Sequence, residues 1–131
     1  MKIFGMSDVH LGVRNNKIQK IFEKNFENYL NKIYTEEGDN ENIVFIAGDL
    51  FDYPVVKNEV LNAFLKIISK YKDKIKIIIS AGNHDSSPIK RDSTLDILSN
   101  INMDISPTYE NDKYQLYSFE SFNEMPTIIV A

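Results

Sequence analysis

The 131-residue chain contains no cysteine, which excludes disulfide bonds, thiolate metal sites and cysteine nucleophiles. It has no apolar run near the roughly 18 residues that a membrane span needs. Its first residues lack the apolar core and cleavage site of a signal peptide. These absences favour a cytoplasmic protein with no membrane association. Repeats and low-complexity segments are absent too, so the length predicts one domain with one modest core.

The net charge of −4 and the sequence pI of about 5.1 argue against a protein that coats nucleic acid by charge alone. A nuclease is not excluded. Carboxylates that bind metal ions lower the net charge, and the ions themselves then meet the phosphates of the substrate.

Strands and helices alternate along the predicted chain. Apolar runs predict strands at residues 2–6, 43–47, 75–79, 114–119 and 126–131. Apolar residues spaced three or four apart, from Ile18 to Ile33 in the first case, predict helices at residues 16–34 and 56–71. A short helix is expected at residues 93–99, with Asp92 or Ser93 as its N-cap. This order is typical of an α/β fold with a mainly parallel sheet and helices on both faces.

Polar clusters follow three of the predicted strands. They are Asp8-Val9-His10, Gly48-Asp49-Leu50-Phe51-Asp52 and Gly82-Asn83-His84-Asp85. The carboxyl ends of parallel strands share one edge of a sheet, so the fold gathers these clusters into one patch. Carboxylate, imidazole and amide donors together suit Mn²⁺, Fe²⁺, Zn²⁺ or Mg²⁺. Gly48 and Gly82 let the backbone turn tightly beside the ions.

Each cluster alone has a simpler interpretation. A lone Asp-Xaa-His or Gly-Asp is more often a turn than a metal site. Here all three clusters occur in order after apolar strands, and the two histidines of the chain both fall inside them. The combination therefore favours a metal site.

Together, the clusters resemble the first three motifs of the calcineurin-like metallophosphoesterases. The longer forms Asp8-Val9-His10-Leu11-Gly12 and Gly48-Asp49-Leu50-Phe51-Asp52 most resemble SbcD-type exonucleases of DNA double-strand-break repair, and phage recombination endonucleases are similar. The resemblance covers nearly the whole chain but only the first half of the family's β-sandwich (αββα) domain. Residues 1–131 are therefore expected to be the amino-terminal part of a single nuclease domain.

The resemblance also implies a role for each motif residue. Asp8 and His10 would bind the first of two divalent ions, with Mn²⁺ as the expected metal. Asp49 would bridge the two ions, and Asn83 would bind the second. His84 would face the scissile phosphate and stabilise or protonate the transition state.

Two further motif residues, Asp52 and Asp85, would orient the ligands rather than bind an ion. The family pattern then continues with histidines that complete both metal shells, whereas this sequence has no histidine after His84. We therefore expect the chain alone to bind Mn²⁺ weakly and to show little nuclease activity. A truncated fragment, a split-gene product and a degenerate remnant are the alternatives, and the fragment is favoured.

Basic residues near the motifs are candidate contacts to the DNA backbone, although a solvated surface is the more common role for such residues. They are Arg14, Lys17, Lys20, Lys24, Lys90 and Arg91. The helix at 56–71 is apolar over a wide arc. That arc predicts either a homodimer surface, as in SbcD-like nucleases, or burial under the missing half of the domain.

The leading hypothesis is a metal-dependent DNA exonuclease or endonuclease subunit that works with an SbcC-type ATPase in DNA repair or recombination. The metal motifs also fit a phosphoesterase acting on nucleotides, small phosphodiesters or phosphoproteins. A third alternative is an inactive fragment used as an interaction module. The Leu11-Gly12 and Leu50-Phe51-Asp52 extensions favour the nuclease.

Overall fold

The computed structural model describes residues 1–38, 40–80, 82–84, 93–100, 104–106, 115–118 and 127–130. Four strands form a parallel sheet in chain order: β1 (Ile3–Met6), β2 (Asn42–Ala47), β3 (Ile75–Ser80) and β4 (Asp104–Ser106). Two more strands, β5 (Gln115–Ser118) and β6 (Thr127–Val130), pair antiparallel as a second sheet. The predicted α/β class with a mainly parallel sheet is confirmed. The sequence did not predict β4, because Ile105 is its single apolar residue.

Three helices connect the parallel strands: α1 (Asn16–Glu36), α2 (Asn58–Ser69) and α3 (Thr94–Asn100). The Asn15 side chain begins α1 by accepting hydrogen bonds from the backbone N–H groups of Lys17 and Ile18. Within the described residues, no helix is both long and apolar enough to cross a membrane.

The buried face of α1 differs from the predicted one at its amino end. Phe26, Leu30 and Ile33 are buried, whereas Ile18 is 42% exposed. In the first turn of α1 the buried residue is Gln19, at 8% exposure, and its side-chain oxygen accepts the Gly12 N–H across 2.6 Å. Successive helix residues are rotated by about 100°, so Ile18 is turned away from this buried face.

All three helices contribute to one buried cluster on one face of the sheet, whereas the sequence suggested helices on both faces. In this cluster the Phe64 ring of α2 stacks on Phe26 of α1, with ring centroids 5.8 Å apart. Other members include Leu95 of α3 and Val44 and Ile79 of the central strands. Each connection advances the sheet by one strand in the same direction, so crossovers of one hand place successive helices on the same face.

The central strands are nevertheless buried on both faces, as their continuous apolar sequences predict. Ile43 of β2 and Ile78 of β3 are fully buried but lie outside the helix-side cluster. The strand alternation explains this difference, because successive side chains point to opposite faces. Two of the three clusters described next therefore follow strands that are buried on both faces, β2 and β3.

Candidate metal centre

The loops that follow β1 and β2 are joined by backbone hydrogen bonds that continue the parallel pairing beyond the strands. The His10 N–H donates to the Asp49 carbonyl across 3.0 Å, and the Leu11 N–H donates to the Leu50 carbonyl across 2.8 Å. In return, the Asp52 N–H donates to the Leu11 carbonyl across 2.8 Å. The first two motifs therefore form one connected unit rather than two independent loops.

Three residues of this unit have left-handed backbone conformations. The φ angles are 55° at Asp8, 52° at His10 and 54° at Asp49, and Gly48 has a φ of 84°. A non-glycine residue in this region costs on the order of 1–3 kcal/mol and persists only when its surroundings enforce it. Here the interloop hydrogen bonds and the buried Val9 side chain enforce it. Such strain clusters at functional sites.

Apolar residues interleaved with the polar ones anchor the two loops in the core. Val9 is 9% exposed, and the others are fully buried: Leu11, Leu50 and Phe51. Gly12 is also fixed by packing, because a Cβ there would lie 2.8 Å from Val56 Cγ1. The residues of the Leu11-Gly12 and Leu50-Phe51 extensions thus act by holding the polar side chains at the surface of the domain.

The structure brings Asp8, His10 and Asp49 together at the carboxyl edge of the sheet. One potential ligand atom from each lies within 4.8 Å of the other two. His10 Nε2 is 3.5 Å from Asp8 Oδ1, and the Ser7 hydroxyl donates to Asp8 Oδ2 across 2.8 Å. Asp49 is only 8% exposed, so its carboxylate needs charged or hydrogen-bonding partners in place.

The third motif reaches the same edge through Asp49. The backbone N–H of His84 donates to Asp49 Oδ1 across 2.8 Å. Gly82 passes so close that a Cβ on it would lie 2.6 Å from the Asp49 backbone nitrogen. Gly82 is therefore needed for close approach rather than for a positive φ. Asn83, between these two residues, is exposed at the same edge.

Asp52 contacts both histidines. His10 Nδ1 lies 3.0 Å from Asp52 Oδ1, and His84 Nδ1 lies 3.3 Å from the Asp52 backbone carbonyl and 3.7 Å from Oδ1. Carbonyl and ionised carboxylate oxygens only accept hydrogen bonds, so both Nδ1 atoms carry the proton in these contacts. Both Nε2 atoms are then left for other partners. The imidazole rings meet edge to face, with centroids 4.8 Å apart.

Two overlapping sets of side chains have the spacing of a cation site: Asp8, His10 and Asp49, and His10, Asp52 and His84. The first set fits a divalent ion better. His10 offers Nε2 on the Asp8 side while its Nδ1–H is held by the Asp52 carboxylate, the usual support of a metal-binding histidine. In the second set, His10 Nδ1 faces Asp52 but already carries the proton of that hydrogen bond, so it cannot bind an ion there. Carboxylate oxygens with one imidazole nitrogen are donors that suit Mn²⁺, Fe²⁺ or Zn²⁺.

The basic residues that the structure describes near the motifs are exposed, and Arg14 alone among them lies over an aromatic ring. Its guanidinium carbon lies 5.3 Å from the centroid of the Tyr53 ring. The other three follow on α1: Lys17, Lys20 and Lys24. Asp85, Lys90 and Arg91 lie outside the described residues. The sequence analysis missed Ser7 and Tyr53, although each directly adjoins a motif aspartate.

The chain is similar in sequence to known proteins. Residues 1–129 match the calcineurin-like phosphoesterase family. The chain is also 30% identical over 104 residues to the DNA double-strand break repair protein Mre11 of Aeropyrum pernix. That similarity covers 79% of this chain and 25% of the relative, so the chain spans about a quarter of the relative's length.

Proposed function

The chain belongs to the calcineurin-like phosphoesterase family, and we propose that it forms part of a DNA nuclease that hydrolyses phosphodiester bonds with two divalent metal ions. The observation that carries this proposal is the convergence of Asp8, His10 and Asp49, whose ligand atoms lie within 4.8 Å of one another. DNA as the substrate is supported by the similarity to a protein named for DNA double-strand break repair.

Asp8, His10, Asp49 and Asn83 would hold the ions, with Mn²⁺ proposed as the metal. Such ions supply positive charge that neutralises the phosphate and activates water. Asp49 suits the bridging role because one of its oxygens accepts the His84 N–H while the carboxylate keeps further lone pairs. Its low exposure of 8% keeps these lone pairs from being solvated by bulk water.

His84 would act on the phosphate rather than bind an ion. Its backbone is fixed by Asp49 and its Nδ1 by the Asp52 carbonyl. The remaining Nε2 atom would contact the scissile phosphate and protonate the leaving oxygen. Asp52 would position both imidazole rings, because its carboxylate binds Nδ1 of His10 and its carbonyl binds Nδ1 of His84.

Further parts of the proposal concern the assembly. We propose residues 1–131 as the amino-terminal part of one nuclease domain, supported by the absence of histidines after His84. An SbcC-type ATPase partner, a role in recombination and a cytoplasmic location are proposed with it.

A homodimer through α2 is proposed because Leu61, Leu65 and Ile68 pack against the core but stay partly exposed. Contacts from Arg14, Lys17, Lys20 and Lys24 to the DNA backbone are proposed because all four are exposed.

The direct test is a titration of the purified chain with Mn²⁺, in which binding is measured by calorimetry or electron paramagnetic resonance. We expect weak binding that Asp49→Asn abolishes. Asp73→Asn is the matched control, because Asp73 precedes β3 at the opposite edge of the sheet and its carboxylate contacts Tyr34. Equal Mn²⁺ affinities for the wild type and Asp49→Asn would contradict the metal site.

The substrate is tested separately with linear duplex DNA, a small aryl phosphodiester and a phosphopeptide. We expect the isolated chain to show little activity, and any Mn²⁺-dependent hydrolysis to be on DNA. Hydrolysis of the phosphopeptide in preference to DNA would exclude the nuclease. Robust exonuclease activity from the chain alone, abolished by His84→Ala, would contradict the expectation that further ligands are required.

A further inference from the structure

Gln19 is a buried polar residue in the first turn of α1, and its side chain contacts the loop after β1. It is 8% exposed. Its Oε1 accepts a hydrogen bond from the Gly12 N–H across 2.6 Å, and its Nε2 donates to Glu23 Oε1 across 3.0 Å. A backbone N–H only donates and an ionised carboxylate only accepts, so these two partners fix the orientation of the amide. Both polar atoms of the Gln19 side chain are therefore used.

The Gly12 N–H belongs to the same peptide group as the Leu11 carbonyl. A peptide group is planar, and its C=O and N–H move as one unit. The Leu11 carbonyl accepts the Asp52 N–H across 2.8 Å, while the Gly12 N–H donates to Gln19. One rigid group is therefore held on one side by α1 and on the other by the second motif.

Asp52 is the residue of the second motif that this peptide group holds. Its carboxylate oxygen Oδ1 lies 3.0 Å from His10 Nδ1, and its backbone carbonyl lies 3.3 Å from His84 Nδ1. Its backbone N–H is bound by the Leu11 carbonyl. A displacement of the Leu11–Gly12 peptide group is therefore passed to the residue that orients both imidazole rings.

Gly12 needs an external constraint, because a glycine backbone is less restricted than that of any other residue. Its φ is 97°, and a Cβ there would lie 2.8 Å from Val56 Cγ1, so a larger residue would not fit. Among the residues that the structure describes, Gln19 is the hydrogen-bond partner of the Gly12 N–H. Gln19 thus supplies the restraint that the glycine itself lacks.

We propose that Gln19 is a positioning residue of the metal centre, which holds the Leu11–Gly12 peptide group and thereby keeps Asp52 beside His10 and His84. Gln19 itself binds no ion and touches no substrate in this role. The inference rests on the proposed function, because it assumes that His10 is a metal ligand. It also makes the first turn of α1 part of the site, since a coupling between two positions acts in both directions.

The first test measures amide hydrogen exchange by NMR in the metal-free protein. Gln19→Met removes the acceptor, so the Gly12 N–H should exchange about tenfold faster. The Asp52 N–H should exchange about threefold faster, because its acceptor carbonyl is part of the same peptide group. Tyr29→Phe is the matched control and should change neither rate, since it removes another hydrogen bond from α1, from Tyr29 Oη to the Gly5 carbonyl across 3.0 Å. An Asp52 N–H that exchanges at the wild-type rate in Gln19→Met would overturn the inference.

Calorimetric titration with Mn²⁺ supplies a second readout. Gln19→Met should weaken binding about three- to tenfold, less than the loss of a direct support of the ligand. The double variant Gln19→Glu/Glu23→Gln should stay within about threefold of the wild type, because the carboxylate at position 19 accepts the Gly12 N–H and the amide at position 23 donates to it. A double variant as weak as Gln19→Met would contradict the inference, because restoring the two hydrogen bonds would then have no effect.

The wild type offers a test that does not depend on how a variant folds. Exchange is run with and without Mn²⁺, and EDTA removes the ion before the spectra are recorded. Saturation with Mn²⁺ should slow exchange of the Gly12 N–H at least about threefold, because the coupling is reciprocal. The Glu37 N–H, which binds the Ile33 carbonyl at the far end of α1, should change little. Equal slowing at Gly12 and Glu37 would contradict the coupling.

The Mn²⁺ affinities distinguish this inference from the proposed function. A wild-type chain that binds no Mn²⁺ contradicts the proposed function, and exchange in the metal-free protein then still decides whether Gln19 holds Asp52. If the wild type and Gln19→Met bind Mn²⁺ with equal affinity, the positioning inference alone is wrong.

Discussion

His10 Nδ1 donates a hydrogen bond to the Asp52 carboxylate across 3.0 Å, and this contact joins side chains from the first and second motifs. It fixes the ring so that Nε2 lies on the Asp8 side, 3.5 Å from Asp8 Oδ1. A metal-binding imidazole needs such a partner to set its tautomer and orientation. The residue that completes the proposed site is therefore one that would not itself bind an ion.

Replacement of that partner should weaken metal binding. In Asp52→Ala, His10 loses the acceptor of its Nδ1–H, and we expect the Mn²⁺ affinity to fall about 10- to 100-fold. Asp52→Asn should cost less, because its amide oxygen still accepts. Calorimetric titration measures both, with the remote Asp73→Asn as the control. An unchanged affinity in Asp52→Ala would mean that Asp52 does not position a ligand.

His84→Ala distinguishes the two candidate cation sets. If His84 acts on the phosphate, the Mn²⁺ affinity should stay within about threefold of the wild type, because alanine keeps the backbone N–H that binds Asp49. Any measurable DNA hydrolysis should fall about 10²- to 10⁴-fold, as on loss of a general acid. A parallel loss of Mn²⁺ affinity, as large as that of a His10→Ala variant measured beside it, would instead identify His84 as a ligand.

Gly82→Ala should disrupt the site through its contact with Asp49. The added Cβ would lie 2.6 Å from the Asp49 backbone nitrogen, so the two loops must separate. Overpacking of this kind costs about 1–3 kcal/mol of stability, measurable by urea denaturation, and should weaken Mn²⁺ binding. Gly5→Ala is the matched control, because a Cβ at Gly5 meets nothing within 4 Å. Equal effects of the two variants would contradict this explanation.

The proposed dimer through α2 can be tested at Leu65 but not at Phe64. Phe64 is fully buried and contacts Phe26 and Phe51. Phe64→Asp should therefore lower the free energy of unfolding by several kcal/mol and unfold the domain. Leu65 is partly exposed on α2 and only its inner side packs against the core, so Leu65→Asp should cost less stability than Phe64→Asp, and circular dichroism checks that the variant is folded. Sedimentation velocity would then show a loss of dimer if α2 forms the interface.

The control for that experiment is Ile21→Asp, since Ile21 is 55% exposed on α1. It should leave the oligomeric state unchanged. A dimer that survives Leu65→Asp would exclude this face of α2 as the interface.

The sequence alone determined the order of the main strands and helices and the position of the motifs. Apolar runs located β1, β2 and β3, and the runs of β2 and β3 are continuous because these strands are buried on both faces. The polar residues that end these strands had to reach one edge, because parallel strands share their carboxyl edge. Convergence of Asp8, His10 and Asp49 followed from this rule without any coordinates.

The tertiary structure alone decided which side chains meet. Local patterns could not show that Ile18 is exposed, because the buried position in the first turn of α1 is taken by Gln19, which accepts a hydrogen bond from Gly12. They could not show that Phe64 faces its own core or that Gly82 is needed to clear Asp49. The contact from His10 to Asp52, 42 positions along the chain, depends on the register between the loops after β1 and β2. Periodicity and propensity are local, whereas register and clearance are set only when the whole sheet packs.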